Sequence, residues 1–153
     1  MSDEVNVLVL AAGHGSRMKS RVPKVLHHVA GQTMIDWVLD AVAPLTSNRP
    51  ITVIGVGAES VQTHVGERSD FVLQAQQLGT GHAVQQAQDK LSASHGVTLI
   101  MSGDTPMFRA ETLSEFIAAH RQSNNAVTVL TAVTQEPTGY GRIVRADEIG
   151  RAH

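Results

Sequence analysis

Cysteine is absent from the 153 residues, so disulfide frameworks, thiolate zinc sites and a cysteine nucleophile are all excluded. Neither sign of charge is in marked excess: twelve Lys and Arg stand against fourteen Asp and Glu, a formal net charge of -2. Such a balance gives no global reason to bind nucleic acid or a membrane surface. No apolar run approaches the length needed to cross a bilayer, and Asp3 and Glu4 stand where a signal peptide would carry positive charge. The expectation is a cytoplasmic protein. Internal repeats, linkers and low-complexity tracts are missing too. Among the eight histidines no two share the H-x-x-x-H spacing, which argues against a histidine metal cluster. What remains, 42% hydrophobic and 17% charged residues, suits one globular domain that buries about two-thirds of its unfolded surface.

Acidic residues are also missing from one long stretch, with no Asp or Glu between Val5 and Ile35. Within it, the apolar run Val5–Leu10 gives way to small residues, Ala11, Ala12, Gly13, Gly15 and Ser16. A backbone so lightly covered can approach a phosphate and turn its N–H groups toward the oxygens. Arg17, Lys19, Arg21 and Lys24 follow directly, making a local positive field suited to an anionic ligand. GHGSRM is not the dinucleotide fingerprint, because Met18 stands where the third glycine belongs, and it is not a P-loop. It matches G-x-G-[ST]-R followed by Pro-Lys, the signature of sugar-nucleotide nucleotidylyltransferases, with Arg17 and Lys24 as the two working cations.

Along the chain, short apolar runs alternate with amphipathic stretches. Strands are expected at Val5–Leu10, Ile51–Val56, Phe71–Leu73, Val97–Met101 and Ala126–Val133, with a further strand entering a turn over Arg142–Gly150. Helices are expected from Met34, capped by Thr33 and stopped by Pro44, and over Glu59–Val65, His82–Leu91 and Glu111–Arg121. This alternation predicts an α/β fold: a Rossmann-like, mainly parallel sheet flanked by helices. The chain stops at His153 with no closing helix, which suggests a fold incomplete at its C-terminal end.

In such sheets ligands bind beyond the carboxyl ends of the strands. Three loops meet there: the Gly13 loop, Gln74 to Gly81, and Ser102 to Pro106. Gln74 has both a donor and an acceptor with which to read a base edge. Gly79, Thr80 and Gly81 open a helix, where free N–H groups could meet a phosphate or a base carbonyl. Asp104, past an apolar strand and facing the phosphate loop, suits Mg²⁺, which prefers one or two carboxylates with phosphate oxygens and water. His82 reads as a surface position and Trp37 as packing. Thr138–Arg142 reads as a glycine-rich turn.

Together, LAAGHGSRMKSRVPKVLH, QAQQLGTGHAVQQA, SGDTP and PTGYGRIVR resemble the N-terminal uridylyltransferase domain of bacterial bifunctional N-acetylglucosamine-1-phosphate uridylyltransferase/glucosamine-1-phosphate acetyltransferases. The resemblance covers essentially the whole chain. It implies that Leu10, Ala11, Ala12 and Gly13 line the nucleotide loop, with Lys24 on the phosphates. It also implies that Gln74, Gly79 and Thr80 bind uracil and its ribose, that Asp104 holds Mg²⁺, and that Gly103 and Gly141 border the sugar. Ser102 departs from the usual Tyr before Gly-Asp and removes a wall of the sugar pocket; Ser16 replaces the commoner Thr. The family's downstream sugar-binding Glu and Asn, and an Asn completing the metal site, lie beyond His153, as does the acetyltransferase domain.

The reaction so implied is in-line attack of a sugar-1-phosphate oxygen on the α-phosphorus of UTP, with pyrophosphate leaving. It yields UDP-N-acetylglucosamine, a cell-envelope precursor. UTP and the sugar-1-phosphate are the expected partners, and a homo-oligomer is left open. The alternatives are a nucleotidylyltransferase for another acceptor, such as a molybdenum-cofactor guanylyltransferase, and a nucleotide-binding fragment with little turnover.

Overall fold

Five apolar residues and the buried Asn6, Val5–Leu10, form strand β1, around which the other layers are laid. The computed structural model describes residues 4–13, 15, 18–136, 138–141, 143–146 and 149–152. A small hairpin follows β1, with β2 (His28–Val29) and β3 (Gln32–Thr33) turned by Ala30 and Gly31 at φ 49° and 92°. Positive φ at both turn residues matches the right-handed twist of the strands it joins. Next come α1 (Met34–Val42), β4 (Ile51–Ile54), α2 (Ala58–Val65) and β5 (Asp70–Leu73). They are followed by α3 (Thr80–Gln86), α4 (Gln88–Ser92), β6 (Val97–Ser102) and α5 (Ala110–Ser123). A hairpin of β7 (Ile143–Ala146) and β8 (Ile149–Ala152) ends the described chain.

The four longer-range strands make one parallel sheet in the order β5-β4-β1-β6. Alternation along each strand sorts side chains to two faces. Val5, Val7 and Val9, with Leu99 and Met101, meet Ile35, Val38 and Val42 of α1, Val61 of α2 and Leu113 and Ile117 of α5. Leu8 and Val53 face the other way, onto Ala83 and Ala87 of α3 and its junction with α4. The result is the expected α/β sandwich of a mainly parallel sheet between helices. Trp37 does more than pack: its indole N–H donates to the Val29 carbonyl at 2.7 Å and ties α1 to the hairpin.

Two expectations need correction. Residues 126–133 form no strand, and Val127, Val129 and Val133 are 76%, 63% and 105% exposed. The alternation is present in the sequence, but a strand exists only when its backbone finds a partner. Among the described residues the outer edge of β6 pairs with nothing. The stretch expected as one helix over His82–Leu91 is two, α3 and α4, broken at the fully buried Ala87. Its inward residues are nonetheless the expected ones, with Ala83 and Ala87 buried and Val84 and Leu91 packed beside them.

From β1 the chain moves outward through β4 to β5, then returns under α3 and α4 to β6 on the other side of β1. The direction of winding therefore reverses between β1 and β6. Register keeps their ends level, Leu10 beside Ser102. The loops leaving these strands diverge at that point and open a crevice at the carboxyl rim.

Candidate active site

The crevice is floored by small residues. The Gly103 N–H donates to the Leu10 carbonyl at 2.9 Å, and the Ala11 N–H to the Val53 carbonyl at 2.8 Å. Ala11 and Ala12 are buried, while Gly13 is exposed and has open space where a Cβ would stand. Among the described residues no acceptor meets the N–H of Ala12 or Gly13, so the available donors of this loop begin at Ala12, after the two residues tied to the sheet. Gly15 is needed for a different reason. Its φ is 57°, and a Cβ there would lie 2.9 Å from the Lys24 Cβ.

Lys24 begins a turn of 3₁₀ helix held by the Leu26 N–H to the Pro23 carbonyl. It reaches across the crevice to Asp104, with Nζ and Oδ2 2.5 Å apart. Ser102 Oγ donates to the other carboxylate oxygen. Partial burial pushes the Asp104 carboxyl up, but the Lys24 ammonium and the Ser102 hydroxyl together outweigh it. The group sits below its ordinary range, as a carboxylate at neutral pH. The cation and the anion picked out in the sequence from separate motifs, eighty residues apart, are thus direct partners.

The second loop is built around a buried amide. Gln74 is 3% exposed; its Nε2 donates to the Gly79 carbonyl at 3.1 Å and lies 3.0 Å from His82 Nδ1. Gln77 Nε2 donates in turn to the Gln74 carbonyl at 3.1 Å. Gly79 at φ 103° precedes Thr80, the first residue of α3. The loop abuts the first one through Gly55, where a Cβ would stand 2.6 Å from Gln77 Nε2 and 2.8 Å from the Ala12 carbonyl oxygen. Gly55 therefore lets the phosphate-type loop and the Gln74 loop close on each other.

Leu10 to Gly13, Lys24, Gly103 and Asp104 are accordingly brought together, and Gln74, Gly79 and Thr80 are adjacent to them. Gly141 is exposed, just before β7, and no described hydrogen bond ties it to the rim. Arg17 lies outside the described residues. Two participants escape the sequence reading. His82, expected at the surface, is half-buried and bonded to Gln74, a contact eight residues apart that no periodicity announces. Ser102, expected only as the loss of an aromatic wall, supplies a hydroxyl to Asp104.

A divalent ion at this site would draw on Asp104. No group of three or more His, Cys, Asp or Glu gathers among the described residues, so the fold builds no all-protein cage there. A single ionised carboxylate beside the Ala12–Gly13 loop is, however, the donor set that Mg²⁺ completes with substrate oxygens and water. The fit is adequate.

A family model described as "MobA-like NTP transferase domain" matches residues 7–152. "Bifunctional protein GlmU" from Enterococcus faecalis is 50% identical over 143 residues, 94% of this chain and 31% of that protein. The same-named protein from Levilactobacillus brevis is 51% identical over 140 residues, 92% of this chain and 30% of that one. The chain thus spans about a third of the length of these relatives. Among solved structures, Rv0371c from Mycobacterium tuberculosis shares the fold with a TM-score of 0.67 at 22% identity, over 79% of this chain and 62% of that one. A nucleotidyl transferase from Methanothermobacter gives 0.60 at 24% identity, over 76% of this chain and 58% of that one.

Proposed function

This chain belongs to the MobA-like NTP transferase family, and we propose that within it the chain transfers a uridylyl group from UTP to N-acetylglucosamine-1-phosphate. The observation that carries the reading is the pairing of Lys24 with Asp104 across the crevice floored by Ala12 and Gly13. A transfer between phosphates needs little covalent chemistry from a protein; it needs charge held in place. The open N–H groups of Ala12 and Gly13 and the Lys24 ammonium would receive the triphosphate. The attacking sugar-phosphate oxygen forms a bond to the α-phosphorus as the bond to pyrophosphate breaks. Asp104 would hold Mg²⁺, which when bound neutralises phosphate charge. The uridine and the sugar rest on the motif resemblance and on the half-identical GlmU relatives.

Calorimetry with UTP tests the reading. Binding should be tighter with Mg²⁺ than without it, and Asp104→Asn should remove most of that difference. Equal affinities for both proteins under both conditions would reduce Asp104 to a turn residue. Pyrophosphate release on adding N-acetylglucosamine-1-phosphate decides the acceptor, and its absence despite UTP binding favours a nucleotide-binding chain with little turnover.

A further inference from the structure

We infer that His82 is a specificity-positioning residue: it fixes the orientation of the Gln74 amide so that the protein distinguishes uracil from cytosine. The inference rests on the uridylyl reading above. A glutamine amide is two-faced, with an oxygen that accepts and a nitrogen that donates, and a half-turn exchanges them. Uracil presents an N3–H donor where cytosine presents a bare N3 acceptor. An amide free to turn would serve both bases alike.

Gln74 is not free to turn. Its side chain is buried, and the terminal atom facing the Gly79 carbonyl at 3.1 Å must be the nitrogen, since a carbonyl oxygen can only accept. The same nitrogen faces His82 Nδ1 at 3.0 Å. That contact is favourable only if Nδ1 carries no proton and accepts, which places the ring proton on Nε2. The Gln86 amide nitrogen lies 3.2 Å from Nε2; Gln86 is exposed, so unlike Gln74 its amide is free to reverse and present oxygen to that proton. Both hydrogens of the Gln74 amide are then committed, one to Gly79 and one to His82. Among the described residues nothing donates to its Oε1. The atom left for a ligand is an acceptor, the complement of the uracil N3–H. Reversing the amide would set oxygen against the Gly79 carbonyl and against the lone pair of His82.

The experiment compares UTP and CTP affinities, with Mg²⁺, for the wild type, His82→Leu and His82→Asn. Leucine fills the space without an acceptor, whereas the asparagine oxygen can stand in for Nδ1. Wild type should favour UTP. His82→Leu should lower the UTP-to-CTP ratio by roughly tenfold or more, the scale of one buried hydrogen bond made or left unmet, and His82→Asn should restore most of it. An unchanged ratio in His82→Leu overturns the role of His82. A wild type that binds UTP and CTP equally overturns the uridylyl reading instead, and this inference with it. A nucleotide-free check is the ¹⁵N spectrum of the ring at pH 8: the Nε2–H tautomer is expected, and the Nδ1–H tautomer would overturn the positioning argument whatever the affinities.

Discussion

The Lys24–Asp104 pair separates what holds the molecule together from what it does. Lys24 is 40% exposed and Asp104 27%, and an ion pair so open to solvent contributes only about 0.2–1 kcal/mol to folding. Lys24→Ala should therefore shift the urea midpoint little. On the proposed reading it should weaken UTP binding, and in a full-length protein carrying this domain it should lower turnover roughly a hundredfold or more. A large loss of stability with unchanged UTP affinity would make Lys24 structural. The same variant should also raise the titration point of the Asp104 carboxyl, because it removes the chief influence opposing burial; carbon NMR of the carboxyl group measures this directly.

At the start of α1 the sequence and the structure agree closely. Thr33 was legible as an N-cap from its position before Met34, and its Oγ1 accepts from the Asp36 N–H at 3.3 Å. What the sequence did not reveal is how far that cap extends. Thr33 Oγ1 also donates to Asp36 Oδ2 at 2.6 Å, and Asp36 binds His64 at 2.9 Å and Arg68 at 2.9 Å. The start of α1 is thereby fastened to α2 and the turn after it, through contacts some thirty residues apart. Thr33→Ala should cost about 1–2 kcal/mol in urea unfolding. Burial pushes the Asp36 carboxyl up, but Thr33, His64 and Arg68 more than offset this and set it below its ordinary value of 3.8. A carboxyl lowered on folding binds protons more weakly in the native state. Its contribution to stability is therefore whole above the ordinary value and is lost as pH falls below it. Asp36→Asn should flatten that part of the acid-unfolding curve, and an unchanged curve would count against the network.

For the molecule as a whole, local pattern located the sheet and its helices but not every edge. β1 and β4 were readable because burial on both faces makes near-continuous apolar runs; β6 was readable as an apolar run even though Thr98, Ile100 and Ser102 lie exposed on one face. Residues 126–133 carry an equally strand-like pattern yet lie exposed, because pairing depends on a neighbour rather than on the segment itself. The rim was readable for a related reason: in a parallel wound sheet the loops after the strands gather at one carboxyl edge, so the Gly13 and Asp104 loops had to share it. The Gln74–His82 contact had no such rule behind it. Val127→Lys and Val133→Lys should accordingly leave the melting temperature within the narrow range of ordinary surface changes while improving solubility. Leu8→Ala, at a fully buried position, should cost about 2–5 kcal/mol.

The closed pair at the crevice also has a consequence for the order of arrival. Each of Lys24 and Asp104 is the other's counterion. A phosphate coming alone draws Lys24 away and leaves a bare carboxylate beside added negative charge; a cation coming alone strands an ammonium. Only a visitor bearing both signs leaves neither group uncompensated. On the proposed reading the pair works as a coincidence detector, admitting the metal–nucleotide complex as a unit and resisting either component by itself. Lys24→Met should break the symmetry, tightening Mg²⁺ binding in the absence of nucleotide while weakening UTP. Titrating each ligand separately into the two proteins, under identical salt, would expose that reversal.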